Sequence, residues 1–254
     1  MKSRTIAATA IFTAFVAAST SLFAVNLPMG YFNVGEIMVY ASALLMGPYV
    51  GAFAGGVGSM LSDLSLGYPQ YAPGTLVIKG LEGFIVGYLS TKAFPNFSRL
   101  GWKGVSAAAG SAFALILGYT GTTYLSGDFP IQIGGAWYVP LVAVTLVVPV
   151  YFWVGLAVAA FVAILVAGLT LEERTGWLVL SVLFGGLEMV TGYFLYETFV
   201  LRLGAYPPTE VPFNVAQAIV GLLVAVPLVR SIRRLSGGRG FVPQAGVSSG
   251  GGID

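Results

Sequence analysis

Lys79 and Glu82 stand three residues apart inside an otherwise apolar run, TLVIKGLEGFIVG. On a helix this spacing puts both side chains on one face. Within a bilayer each such charge costs roughly 2.5–3.5 kcal/mol on insertion scales, so residues of this kind face a cavity, a partner or a ligand. They can also simply neutralise each other, and spacing alone leaves both roles open. The surrounding stretch Asp63–Gly87 adds Asp63, Tyr68 and Tyr71. Two more pairs follow downstream: Tyr193 with Glu197, four apart, and Asn214 with Gln217, three apart. Three helices that each present a polar pair at similar depth form a convergence that packing alone would not require. Glu188 lies deeper and on a different face from Glu197, where it would serve as a structural hydrogen-bonding residue or as a contact to the spans within 97–174.

Other chemistry is excluded. There is no cysteine and no histidine, which removes disulfides, thiolate nucleophiles, the commonest general base and the commonest metal ligand. No Gly-x4-Gly-Lys-Ser/Thr loop exists to hydrolyse a nucleotide. A formal Gly-x-Ser-x-Gly match at Gly246–Gly250 lies in a Gly/Ser-rich tail of a histidine-free chain and is a chance occurrence. The expectation is no catalytic residue, no metal and no cofactor. An intramembrane enzyme working through Asp63, Glu82 or Glu197 stays as a competing reading. A net charge of +2 carries no nucleic-acid signal, because the basic residues sit in short loops and at the ends.

The elements that must hold these residues are membrane helices. The chain is 57% apolar and 9% charged, outside the range of ordinary soluble domains. Apolar runs fall at about 5–26, 33–46, 48–65, 75–94, 104–125, 139–169, 176–201 and 213–232. A turn at Gly47-Pro48 gives eight spans with both termini in the cytoplasm. It also gathers Lys2, Arg4, Lys92, Arg99, Lys103, Arg174, Arg230, Arg233 and Arg234 on the inner side and leaves Arg202 in an outer loop, in keeping with the positive-inside tendency. A single kinked helix over 33–65 would place most of them outside. The first run is too long for the core of a cleaved signal peptide and reads as a membrane helix. The outer loops, 27–32, 66–74, 126–138 and 202–212, with the residues that flank them, carry Asn26, Asn33, Tyr68, Gln70, Tyr71, Asp128, Gln132, Trp137 and Glu210. The 139–169 run exceeds one straight crossing, so a kink at Pro149, a tilt or a protrusion is expected.

Small residues form ladders at i, i+4, i+8: Ala10, Ala14 and Ala18 in the first span, and Gly47, Gly51 and Gly55 in the third. Gly83 and Gly87 continue the theme in the fourth. Such ladders let helices approach closely. Packing within the chain explains any of them, and docking to a separate membrane subunit is the alternative, with the first span its best candidate.

The run GEIMVYASALLMGPYVGAFAGGVGSMLSDLSLGYPQYAPGTLVIKGLEGFIVG, residues 35–87, closely resembles the substrate-binding S components of energy-coupling factor (ECF) vitamin transporters, in the riboflavin/hydroxymethylpyrimidine-type branch. The pieces GYFLYE at 192–197 and VPFNVAQAIVG at 211–221 resemble that family's fifth and sixth helices. The likeness covers roughly half of the chain in the family's order. It implies an all-α, six-helix membrane bundle that binds a water-soluble vitamin or precursor near the outer face of the cell membrane. It also implies partners: a transmembrane coupling subunit and two cytoplasmic ATPases, with the subunit toppling in the bilayer to release its ligand. By motif, the implied ligand contacts are Tyr68, Tyr71, Lys79, Glu82, Tyr193, Glu197, Asn214 and Gln217. Ala10, Ala14 and Ala18 match the small residues that meet the coupling subunit. Gln217 stands where some members carry a basic residue.

Length is the departure. Residues 97–174 read as an inserted helical hairpin, leaving a family-like core at 1–96 and 175–234 within one transmembrane domain, 1–234. Residues 235–254 read as a disordered Gly/Ser-rich tail. The leading expectation is therefore a ligand-binding importer subunit, not an enzyme; the competitors are an intramembrane carboxylate enzyme and a standalone secondary carrier.

Overall fold

The computed structural model describes residues 3–26, 31–92, 99–124, 126–136, 139–170, 173–204 and 206–235. The tail beyond residue 235, Lys2 and Trp137 lie outside them. Eight helices carry the fold: α1 (Ser3–Leu22), α2 (Glu36–Met46), α3 (Pro48–Leu66), α4 (Ala72–Thr91), α5 (Arg99–Tyr124), α6 (Val150–Thr170), α7 (Glu173–Leu195) and α8 (Pro207–Leu235). Five of these, α1 and α5 to α8, are long and apolar enough to cross a membrane. The chain is a multi-pass membrane protein.

The helices alternate in direction. Gly51 of α3 lies against Gly83 of α4, and Gly56 against the Leu76 carbonyl, so these two run antiparallel. Trp177 Nε1, early in α7, donates to the Leu89 carbonyl at the end of α4 at 2.8 Å. Arg233 near the end of α8 donates to the Leu44 carbonyl at the end of α2. One end of the bundle therefore collects Lys92 and the basic last turn of α8, and the starts of α1 and α5 with Arg4 and Lys103. The other end collects the 67–71 loop, the close of α7 and the start of α8.

At that second end a small antiparallel sheet departs from the all-helical expectation. Its strands are β1 (Val25–Asn26), β2 (Tyr31–Phe32), β3 (Gly127–Ala136) and β4 (Val139–Val148), in the order β2-β1-β3-β4. The hairpin β3–β4 pairs from Gly127 with Val148 to Ala136 with Val139, and Asn26 of β1 pairs with Gln132. The overlong 139–169 run is thus a strand followed by a helix. Its first part, VPLVAVTLVV, is dense in β-branched residues, which favour extended chain. Pro149 then precedes α6, whose 21 residues rise about 31 Å, one hydrocarbon thickness.

Two helix starts also move. Pro73 sits in the first turn of α4, and α8 opens on Pro207-Pro208, positions where a missing N–H costs nothing. The eighth helix consequently starts six residues before the expected 213, and Glu210 joins its first turn instead of lying in a loop.

The ladders divide as their positions allow. Gly51, Gly55, Gly83 and Gly87 seat α3 directly on α4. In α1, Thr13, Val16 and Thr20 are buried against the bundle, whereas Ala10, Ala14 and Ala18 form an exposed face. The apolar core has one cluster centred on Val16, Tyr40, Val86, Val182 and Val229, and a second around Ile78, Leu117, Met189 and Val215.

Candidate functional site

A polar cavity of about 50 Å³ opens among α1, α2, α3, α4, α7 and α8 at the sheet-bearing end. It has room for a few waters. Of the eight side chains singled out from the sequence, Tyr71, Lys79, Tyr193, Glu197, Asn214 and Gln217 line it. Helical spacing explains why. Tyr193 and Glu197 are one turn apart at the end of α7, where the backbone widens into a π-turn over Tyr196–Val200. Asn214 and Gln217 are one turn apart on α8.

Glu82 and Tyr68 stand behind this wall. Glu82 is fully buried and takes hydrogen bonds from Tyr40 Oη at 2.8 Å and Lys79 Nζ at 3.2 Å. Tyr68 is buried with its ring 5.3 Å from that of Tyr31 and 6.3 Å from that of Tyr71, centroid to centroid, so it backs the two tyrosines nearer the cavity.

Lys79 is the hub. It forms ion pairs with Glu82 on its own helix and with Glu36 in the first turn of α2, and its ammonium lies 5.7 Å from the Tyr193 ring centre. The ammonium is thus shared between two carboxylates and an aromatic face. Above it, Tyr31 Oη of β2 donates to Asp63 Oδ1 of α3 at 2.6 Å. Burial, then the Asp63 carboxylate beside it, pushes the Tyr31 hydroxyl well above its usual range, so the phenol keeps its proton and remains the donor. Thr75 and Tyr193 share a hydroxyl–hydroxyl hydrogen bond of 2.9 Å, which joins α4 to α7 across the cavity. Tyr196 Oη donates to the Gln70 carbonyl at 2.9 Å and fastens the 67–71 loop to α7.

A relay of amides closes the remaining side. Asn33 Nδ2 donates to Gln217 Oε1 at 2.6 Å, and Gln217 Nε2 donates to Asn214 Oδ1 at 3.0 Å. Asn33 Oδ1 accepts from the Gly35 N–H at 2.8 Å, which fixes the entry to α2. Gly35 has a packing requirement of its own, since a Cβ there would collide with the Thr20 hydroxyl. Gln217→Leu would take the recorded partner from the buried Asn33 Nδ2 donor and from the buried Asn214 Oδ1 acceptor, at a cost of about 1–3 kcal/mol. We expect a lowered thermal midpoint in detergent with the helical signal unchanged; a midpoint equal to the parent's would mean the relay contributes nothing.

The sequence reading did not assign Tyr31, Asn33, Glu36, Asp63, Thr75 or Glu210 to the pocket, and all six line it. Asp63, Asn33 and Glu210 were visible as polar residues near the outer ends of spans. Glu36 carried a stronger signal: an acid opening an apolar helix, with Lys79 inside another apolar helix to pair with. Among the described residues, α5, α6, β3 and β4 contribute nothing to the lining. No group of three acidic side chains among the described residues could hold a metal ion.

Comparison with known proteins agrees with this architecture. The chain shares 43% identity over 112 residues with a Pyrococcus woesei protein described as an uncharacterized protein in gap 3'region, covering 43% of this chain and 72% of that one. The profile of the family described as ECF-type riboflavin transporter, S component, matches residues 1–169, from α1 through α6. Those residues are about two thirds of the sequence and include the cavity wall from Thr20 to Lys79, whereas α7 and α8, with Tyr193, Glu197, Glu210, Asn214 and Gln217, lie beyond the match. This chain therefore belongs to the ECF-type riboflavin transporter S component family.

Proposed function

We propose that this protein captures a water-soluble vitamin or precursor, such as riboflavin or a hydroxymethylpyrimidine-like compound, at the outer face of the cell membrane. It would deliver that ligand inward with a transmembrane coupling subunit and two cytoplasmic ATPases. The observation that carries this reading is a cavity walled by tyrosines, carboxylates and amides, opened within an apolar bundle of this family. Apart from Arg202 and the buried Lys79, the described basic residues lie toward the opposite end, and by the positive-inside tendency this supports a cavity that faces outward and termini in the cytoplasm. Eight crossings with a six-helix core at 1–96 and 175–234 fit the cavity, whose described walls leave out the 97–174 hairpin. That division rests on the cavity alone, since the family match runs straight through the hairpin.

The pocket logic is aromatic walls with a few placed polar groups. Tyr71 and Tyr193 would stack on the ligand ring, while Lys79, Glu197, Asn214 and Gln217 would meet its edges. Glu82 would hold Lys79 in place, and Tyr68 would brace Tyr71. The cavity has room for a few waters and not for a whole vitamin, so capture requires its walls to move apart. The exposed ladder Ala10, Ala14 and Ala18 presents a narrow apolar face to the coupling subunit.

Mass spectrometry of small molecules released from the purified protein tests the reading first. We expect one heteroaromatic species at near-stoichiometric yield. Asn214→Ala is then expected to weaken binding of that species about 10-fold, the worth of one or two buried hydrogen bonds. Unchanged affinity in Asn214→Ala, Lys79→Ala and Glu82→Ala together would dismiss this pocket. Uptake by the chain alone into ATP-free liposomes would make it a carrier.

A further inference from the structure

The cavity wall is unbalanced in charge. Glu36, Asp63, Glu197 and Glu210 line it, against Lys79 as its single cation among the described residues. Lys79 is already engaged by Glu36 and by Glu82 behind the wall. Asp63 has one oxygen held by Tyr31. Glu36 and Glu197 are 1% and 2% exposed, and the Oε2 atom of each is buried without a hydrogen-bond partner among the described residues. Buried carboxylates short of partners are expensive, and the cost falls when a positive charge or a strong donor arrives. Tyr71 and Tyr193 add ring faces, which attract cations and repel anions. A bare metal ion does not suit the wall, because the acids are spread around it and no three among the described residues converge.

We propose that the ligand captured here is a cationic nitrogen heterocycle, or one bearing a protonated amino group, and that Glu197 and Glu36 hold its positive edge. This inference rests on the vitamin-capture reading and narrows it: neutral rings should bind less well, and phosphorylated or otherwise anionic ones should be refused. An anion would meet four carboxylates, with only an ammonium that is already paired to receive it.

Three soluble probes separate the possibilities, each titrated calorimetrically into the full chain in detergent: thiamine as the cation, riboflavin as the neutral ring and flavin mononucleotide as the anion. Thiamine is expected to bind at least about 10-fold tighter than riboflavin, the equivalent of one charge-assisted hydrogen bond, and flavin mononucleotide not at all. Glu197→Gln keeps the shape and removes the charge. It should weaken thiamine about 10-fold while changing riboflavin less than about 3-fold; Glu36→Gln serves as the second variant, and a thermal melt checks that each is folded. Riboflavin or flavin mononucleotide binding more tightly than thiamine would overturn the charge inference and leave vitamin capture standing. Thiamine binding that ignores both glutamine variants would do the same. Failure of all three probes on folded protein, with nothing released from it by mass spectrometry, would overturn both.

Discussion

Lys79→Met is expected to destabilise this protein by about 3–5 kcal/mol, because it strips the shared cation from a buried group of acids. The residue is 5% exposed, and its ammonium pairs with Glu36 of α2 and Glu82 of α4. Methionine fills much of the same volume, so the loss is one of charge and not of packing. Without Lys79, Glu82 retains only the Tyr40 hydroxyl among its recorded partners, and Glu36 has none among the described residues. Both must then stay ionised without a counter-charge or take up protons, and either course raises the free energy of the folded state. In detergent the thermal midpoint should fall by ~10 °C, given the few degrees per kcal/mol usual for a chain of this size. Combining Lys79→Met with Glu36→Gln and Glu82→Gln should recover most of the loss, because a neutral buried set has no missing partner to desolvate. A single variant that melts within about 2 °C of the parent would show that the triad is decoupled from stability. If the single variant is stable but no longer binds ligand, Lys79 serves the ligand alone.

This triad also shows how far the sequence could be read. Lys79 and Glu82 announced themselves because two charges three apart in an apolar run have few tolerable explanations. The helix faces followed from periodicity, and with them the convergence of Tyr193, Glu197, Asn214 and Gln217 on one cavity. Glu36 was harder to place, because local pattern names a helix but not which neighbour it meets. Its partner is 43 residues away in sequence, on α4. Tyr31 and Glu210 were hidden for backbone reasons: Tyr31 lies in a two-residue strand with no periodic signal, and Glu210 sits between prolines that read as loop but open α8. The β3–β4 hairpin was missed because an unbroken apolar run satisfies a buried strand as readily as a membrane helix, and here its β-branched residues and Pro149 decide. Tyr68 and Glu82 fell one layer behind the cavity because sequence spacing gives a direction and not a depth.

Gly83→Val is expected to cause a loss of comparable size, for a reason unrelated to charge. A Cβ at Gly83 would land on the Gly51 carbonyl, and one at Gly51 would stand 2.7 Å from the Ala43 backbone. Gly87 repeats the constraint against Gly47 and Pro48, with its added carbon 2.6 Å from their backbone atoms. Backbone cannot move aside as a flexible side chain can, so α3 and α4 would have to separate along their length. Overpacking of this kind costs about 1–3 kcal/mol even where side chains can yield, and here more is expected. In a membrane, close van der Waals packing does much of the work of helix association, so the lost contact has no hydrophobic replacement. The consequence reaches the cavity, because Asp63 projects from α3 while Thr75 and Lys79 project from α4. Gly83→Val should therefore lower both the thermal midpoint and ligand affinity, or prevent accumulation in the membrane altogether. Gly104→Ala, on an exposed face of α5 with open space around it, supplies the contrast. It should be neutral or stabilising by about 0.5–1 kcal/mol through helix propensity alone. If Gly83→Val instead matched Gly104→Ala in melting and in binding, the α3–α4 contact could not be what sets the cavity's width.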